Sequence, residues 1–280
     1  KIAPMKHCKL CNDKTLLQES HVIPKFVYKW MKKTGTGRFR QLKILDKPLQ
    51  DGIKDYLLCN TCEKEFGKRE KWFKERVFDK YLKDSNLKFE CKEELIYFAI
   101  SVLWRVLIYL KDDGNKYRFK NELDLAESEW RDYLYNGNSL KDFKSINLVF
   151  IPENLNIKNG GENLYSYFHR AVDIEIAESD EKSFVYVKFS RFIILGLIKG
   201  ISDNDFSGTN IFSLNTLNPL SQKMDDTTVV DFIIDRSKNV KSYNDLSENQ
   251  KTQNDKYYKD KIEKIRGNDY WNVLKKDINK

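Results

Sequence analysis

The chain has 280 residues, 33% of them charged, five cysteines and a formal net charge of +8. That length excludes a bare zinc finger and leaves room for a full hydrophobic core and two domains, one of them small and metal-stabilised. No apolar run reaches spanning length and no signal-peptide pattern is visible, so the expectation is a soluble cytoplasmic protein with no membrane partner.

The charge is unevenly placed. Residues 1–90 hold 22 Lys+Arg against 12 Asp+Glu, or +10, whereas residues 91–280 hold 28 against 30, or −2. A basic excess confined to the first third points to a polyanion-binding segment attached to a near-neutral body. The plainer alternative is a lysine-rich surface kept soluble by charge.

In chain order, Cys8-Lys-Leu-Cys11 reads as a tight knuckle, and Thr15 to Ile23 as a strand or short hairpin. Pro24 suits the first turn of a helix over Lys25 to Lys33. On that helix Lys25, Lys29, Lys32 and Lys33 recur at helical spacing, with Val27, Trp30 and Met31 on an apolar side. The lysines form either a phosphate-facing stripe or an ordinary solvated face. The glycine-rich turn of residues 34–40 carries Arg38 and Arg40, which suit contacts to backbone phosphates. Its spacing fits neither the P-loop nor the dinucleotide fingerprint.

Tyr56 to Leu58 leads into Cys59-Asn-Thr-Cys62, the second Cys-x-x-Cys pair. Four thiolates in two such pairs are the donor set of a tetrahedral structural zinc, the alternative being two disulfides or chance thiols. From Cys62 a helix of about five turns is expected, burying Phe66, Phe73, Val77 and Tyr81, with Glu63 and Glu70 on another face. His7 beside Cys8 could compete as a zinc ligand. His169 reads as a satisfied histidine and Cys91 as an unpaired buried thiol.

The remainder predicts a core helix at 95–110, broken only by Ser101 and Arg105, and a second helix at 123–135. Strands are expected at 146–151, at 171–177, and at 184–198 as one long or two consecutive strands. Helix returns after Ser247 with a charged, solvated face. The fold class expected is α+β: a zinc-bound module over 1–90, then a larger α+β domain over 91–280 with an antiparallel sheet.

Knuckle, hairpin and a helix whose first turn completes the zinc site form the arrangement called a treble clef. Cys-x-x-Cys, a strand ending in His-Val-Ile-Pro, and Leu-Leu-Cys-x-x-Cys followed at once by a polar residue on a helix resemble the zinc-stapled HNH, or ββα-metal, nucleases. The likeness spans residues 8 to about 80. It implies that His21 is the general base activating water against a phosphodiester, and that Ser20 and Glu63 stand at the positions holding a catalytic divalent cation, Mg²⁺ or Mn²⁺. Asp55 falls near the family's middle asparagine. Serine for aspartate or histidine, and glutamate for asparagine or histidine, are departures from the family pattern. Glu63 could still serve a hard cation, with Glu19, Glu70 or Ser20 completing the shell.

The resemblance implies an endonuclease on nucleic acid, DNA more than RNA, with an association to restriction or phage-defence machinery. The 91–280 domain would then recognise a protein partner, a ligand or the substrate context. Two alternatives stay open: a non-catalytic zinc module binding nucleic acid, whose binding weakens with salt, and a protein-interaction domain with purely structural zinc.

Overall fold

The computed structural model describes residues 4–37, 39–40, 48–49, 51–112, 114–157, 160–240, 245–259 and 262–279. It is a mixed α/β structure with antiparallel sheets and an N-terminal cysteine cluster.

The first third is built on a three-stranded sheet in the order β1 (Met5–His7), β2 (Lys14–His21), β5 (Lys54–Cys59). Between β2 and β5 lie α1 (Lys25–Lys33) and a small antiparallel pair, β3 (Phe39–Arg40) with β4 (Pro48–Leu49). The β2–β5 ladder pairs Leu17 with Cys59, slips at a bulge after Gln18, and resumes with Ser20 opposite Asp55 and His21 opposite Lys54. The residue the bulge leaves over is Leu57, and its carbonyl accepts from Lys9 N at 2.9 Å. The irregularity in the ladder therefore ties β5 to the knuckle.

From Cys59 the chain passes directly into α2 (Asn60–Phe73). A π-helical turn at Lys74–Phe78 and α3 (Asp79–Lys83) follow without a break. The expected apolar face is all buried, Phe66, Phe73, Val77 and Tyr81 alike, but the helical stretch is longer than the expected five turns. The wider π turn brings Phe78 into the core as well.

The two-residue strand β6 (Phe89–Glu90) precedes α4 (Glu93–Asp112) and α5 (Lys120–Asn136). α4 is the buried helix expected at 95–110, and no described helix is long and apolar enough to cross a membrane. A four-stranded antiparallel sheet follows in the order β7 (Ile146–Phe150), β10 (Phe192–Lys199), β9 (Ser183–Phe189), β8 (Val172–Glu178). The expected 184–198 run is two strands, reversing at Ser190, whose φ of 49° is left-handed.

That turn was hidden because both sheet faces are covered, so β9 and β10 read as continuous apolar runs without alternation. One face packs on α4 and α5. At Gly196 the Trp130 ring comes so near that a Cβ would lie 2.7 Å from it. The other face carries a second apolar cluster, built with α6 (Leu164–Arg170) and α7 (Thr227–Lys238), two helices not expected from the sequence. The short strand β11 (Thr216–Leu217) pairs with β6. The tail forms α8 (Glu248–Lys259), α9 (Ile262–Ile265) and α10 (Asp269–Ile278).

The apolar core does not stop at residue 90. One cluster contains Cys8, Phe66, Phe98, Trp104, Phe189 and Phe192. Phe73 and Phe98 stack at 3.9 Å between centroids, and Phe78 stacks on Phe192 at 5.4 Å. The helix that carries Cys62 is thus packed into the same interior as the larger sheet.

One buried cation in the sheet makes a testable stability prediction. Lys188 on β9 is fully buried opposite Asp173 and donates to the carbonyls of Ala171 and Ser190 at 3.1 and 2.9 Å. Burial, against the pull of Asp173, pushes its ammonium down to about 7. The unfolded chain holds that proton to about 10.4. Stability from this group therefore rises with pH between the two values. In urea melts from neutral to alkaline pH, the stability difference between wild type and Lys188→Met is expected to widen in favour of wild type. A flat difference would mean that Lys188 carries its charge unhindered.

Candidate zinc centre and the adjoining imidazole

The Cys8–Cys11 turn is held by Cys8 N on Asp13 O and Asn12 N on Cys8 O, with Asn12 at φ 64°. An asparagine tolerates that left-handed position better than most residues. Cys59 ends β5 and caps α2, its Sγ accepting from Cys62 N at 3.5 Å, while Cys59 N donates to Cys8 Sγ at 3.3 Å. The four Sγ atoms lie within 4.8 Å of one another, and Cys11 Sγ is 3.9 Å from Cys59 Sγ. A zinc tetrahedron with Zn–S bonds of about 2.3 Å has edges of about 3.8 Å.

Burial pushes the Cys11 thiol up to about 11 and that of Cys62 well above its ordinary value. Burial also opposes ionisation at Cys59, but the Cys62 N–H and neighbouring thiols outweigh it and hold that thiol low. Such a group ionises together only around a cation. The four cysteines are positioned to bind one metal ion, and their donor set is that of structural zinc. His7 is apart from them, its Nδ1 2.8 Å from Asn12 O.

β2 runs past this cluster, with Leu17 opposite Cys59 and its end, His21, opposite Lys54, and successive strand residues point to opposite faces. Ser20, fully buried, faces α2 and donates from Oγ to Glu63 Oε2 at 2.6 Å. His21, 8% exposed, points instead toward Asp51, with Nε2 3.2 Å from Asp51 Oδ1. The nitrogen is buried and off the hydrogen-bond line, so the contact is electrostatic more than directional. Asp51 is gripped in turn by Lys54 Nζ at 2.9 Å and Gly52 N at 3.0 Å. Burial opposes its charge, but Lys54, His21 and the Gly52 N–H together hold its carboxyl far below the usual range.

Tyr28 of α1 walls the imidazole, ring centroids 6.0 Å apart, and a Cβ on Gly52 would fall 1.9 Å from the Tyr28 ring. Only glycine lets the Asp51 turn come so close. Burial lowers the His21 pKa below its ordinary 6.5, Asp51 opposing it and Lys54 and Lys25 adding to it. The ring is neutral at pH 7.

Of the residues singled out in the sequence, Ser20 and Glu63 thus pair with each other at this strand end, and His21 faces Asp51, which the sequence had not singled out. Glu70 is half-buried and paired with Arg105 of α4 at 2.8 Å; desolvation raises its pKa, Arg105 opposing and Glu63 adding to the rise. Glu19 is exposed and meets Lys54 at 3.3 Å. Asp55 accepts from the N–H of its neighbour Tyr56 at 2.7 Å, a local contact within β5. Among the described residues, the cysteines are the sole group of three or more His, Cys, Asp or Glu gathered closely enough for a metal. Around Glu63 the donors are one half-buried carboxylate and the Ser20 hydroxyl.

Lys25, Lys29 and Lys33 are exposed and Lys32 half-buried on α1. Arg38 lies outside the described residues, as does the side chain of Arg40. A groove of about 700 Å³ beside the knuckle is lined by Lys6, Lys9, Lys14, Lys111 and Arg131 together with Asp112, which pairs with Lys9 at 2.9 Å, and Glu127, which lies 3.7 Å from Arg131. Lys111 and Arg131 come from the near-neutral part of the chain. His169 is buried, with Nε2 3.1 Å from Pro152 O, and burial pushes the Cys91 thiol up to about 11.

Asp51, Lys54 and Arg105 escaped the sequence reading. Asp51-Gly52 signals a turn, but nothing in its spacing says which side chain that turn will face. No family model matches this chain, and neither a curated protein nor a solved structure matches it.

Proposed function

We propose that the chain is a metal-dependent endonuclease of the HNH type that hydrolyses phosphodiesters in nucleic acid, DNA in preference to RNA. In this reading residues 1–90 are a zinc-stapled treble clef and the rest of the chain is its recognition partner. The observation that carries it is the end of β2, where a carboxylate-backed imidazole and a serine bonded to Glu63, the residue after Cys62 of the four-cysteine cluster, are consecutive residues facing opposite sides of the strand.

His21 is neutral at pH 7, and its Nε2 faces Asp51, so Nδ1 is the nitrogen left to take a proton from an attacking water. Water oxygen bonds to phosphorus, the bond to the leaving oxygen breaks, and Asp51 steadies the imidazolium that forms. Glu63 with Ser20 would hold Mg²⁺ or Mn²⁺, a hard cation needing one or two carboxylates and otherwise keeping water. That position is on the α2 face of β2, across the strand from the His21 ring, so this reading requires the scissile phosphate to meet both around the strand end. When bound, that ion supplies charge stabilisation at the phosphate oxygens. The α1 lysines and the knuckle groove hold the sugar-phosphate backbone without reading bases.

The second reading, a zinc module that binds nucleic acid without cutting it, draws on the sparse donor set at Glu63, since Glu70 is already neutralised by Arg105. Supercoiled plasmid incubated with zinc-loaded protein and Mg²⁺ or Mn²⁺ separates the two. Nicking that depends on the added cation supports the nuclease, and salt-sensitive binding without nicking supports the module. If the nuclease holds, burial of His21 sets the pH profile. Activity is expected to be level from pH 7 to 8, with its acidic fall below 6.5. A fall centred above that value would mean that another group takes the proton.

A further inference from the structure

Arg105 stands in the middle of α4, 1% exposed, in a run otherwise made of apolar side chains and Ser101. A guanidinium so placed is costly unless its donors are met. Nε donates to Ser101 O at 3.1 Å, one turn back, and the group lies over the Phe66 ring at 5.3 Å. A single nitrogen, Nη1, then does two things. It donates to the His21 carbonyl at 2.8 Å and meets Glu70 Oε1 at 2.8 Å. Nη2 is buried without a partner.

An ion pair serving packing alone would end at Glu70. The same nitrogen reaches across to β2, 84 residues away in sequence, and takes the backbone oxygen of the residue whose ring faces Asp51. The ladder residues end at His21, and one more backbone bond, from Val22 N to Ile53 O at 3.0 Å, precedes the turn at 22–24 into α1; Arg105 holds the same strand end from the side of α4.

We propose that Arg105 is a positioning residue that locks the His21 end of β2 to the α2 face carrying Glu63 and Glu70. The two halves of the candidate site sit on different elements: Ser20 Oγ joins β2 to α2 through Glu63 at 2.6 Å, and Arg105 adds a tie from α4 to the His21 carbonyl and Glu70. The planar fork suits this, because two hydrogens on one nitrogen leave at a fixed angle; a lysine ammonium has no such geometry and a shorter reach. The catalytic consequence rests on the nuclease reading above, whereas the positioning of His21 does not.

The test is Arg105→Lys in the full zinc-loaded chain, compared with wild type by NMR of the histidine ring protons and by plasmid cleavage. The three histidines keep assignment simple. With zinc content unchanged, the His21 signals are expected to shift or broaden while those of His169 stay in place. The kcat is expected to fall about 10- to 100-fold, with KM within about twofold, as for a displaced reacting group. Unmoved His21 signals in the folded variant, whatever happens to its melting temperature, would overturn the proposal and leave Arg105 as a packing residue.

If the lysine variant does not fold, Glu70→Gln, which keeps an acceptor but removes the ion pair, is measured instead. Displaced His21 signals support the proposal there and unmoved ones overturn it. A wild type that cuts nothing, but whose His21 signals respond to either change, removes the nuclease reading and leaves the positioning intact.

Discussion

Cys62→Ser, or removal of metal by a chelator at pH 7, is expected to unfold the protein well beyond the knuckle. The four thiols join β1, the end of β5 and the first turn of α2. Without a cation they become buried thiols pressed together, with burial driving Cys11 and Cys62 toward the protonated form. Structural zinc in small domains contributes an apparent ~10–16 kcal/mol at neutral pH, as much as the ~5–15 kcal/mol net stability of a typical domain. Because Cys8 and Phe66 share a core cluster with Phe98 and Phe192, loss of the site frees α2 from the aromatic stack on α4 and the larger sheet. Circular dichroism melts with metal analysis check this. One zinc per chain, a loss of the cooperative transition in Cys62→Ser and little change in Cys91→Ser are expected. A chelated protein melting like the untreated one would remove zinc from the folding of this chain. Acid should act in the same direction, since protons compete with the metal for the thiolates.

The four-cysteine cluster was legible in the sequence because its signature is local: two pairs at fixed spacing, each closed by backbone within a single turn. α1 and α4 were legible for a similar reason, one through Pro24 and a periodic lysine face, the other through an apolar run too long for a strand. What escaped detection depends on the tertiary structure. The Ser190 turn was masked because both faces of β9 and β10 are covered, which erases the alternation that marks a strand end. α7 carries its own start signal, Asp226 accepting from Val229 N, but it buries only Val229, Ile233 and Ser237, a face too narrow to stand out as an apolar period. At the candidate site, strand alternation already implied that Ser20 and His21 face opposite ways. The carboxylate that His21 meets could not be read, because it lies 30 residues on, in a turn whose approach is set by Gly52 under Tyr28.

His21→Ala is expected to reduce cleavage by about 10²–10⁴-fold, the usual worth of a positioned general base, with zinc content and DNA affinity unchanged. Asp51→Asn should cost less, since the ring keeps its place against Tyr28, but it should move the pH profile in a direction the charges dictate. Burial lowers the His21 pKa, Asp51 raises it, and Lys54 lowers it. Removing the Asp51 charge leaves burial and Lys54 unopposed, so the acidic limb shifts to lower pH. Lys54→Met removes a nearby positive charge and should shift it upward, although it also frees Asp51 from its 2.9 Å partner. Opposite shifts from the two neighbours, read in single-turnover nicking across pH 5 to 8, would identify His21 as the group that titrates. Equal cleavage by wild type and His21→Ala at matched zinc content would show that the imidazole takes no proton, and the turn carrying Asp51 would then be a structural clasp on the end of β2.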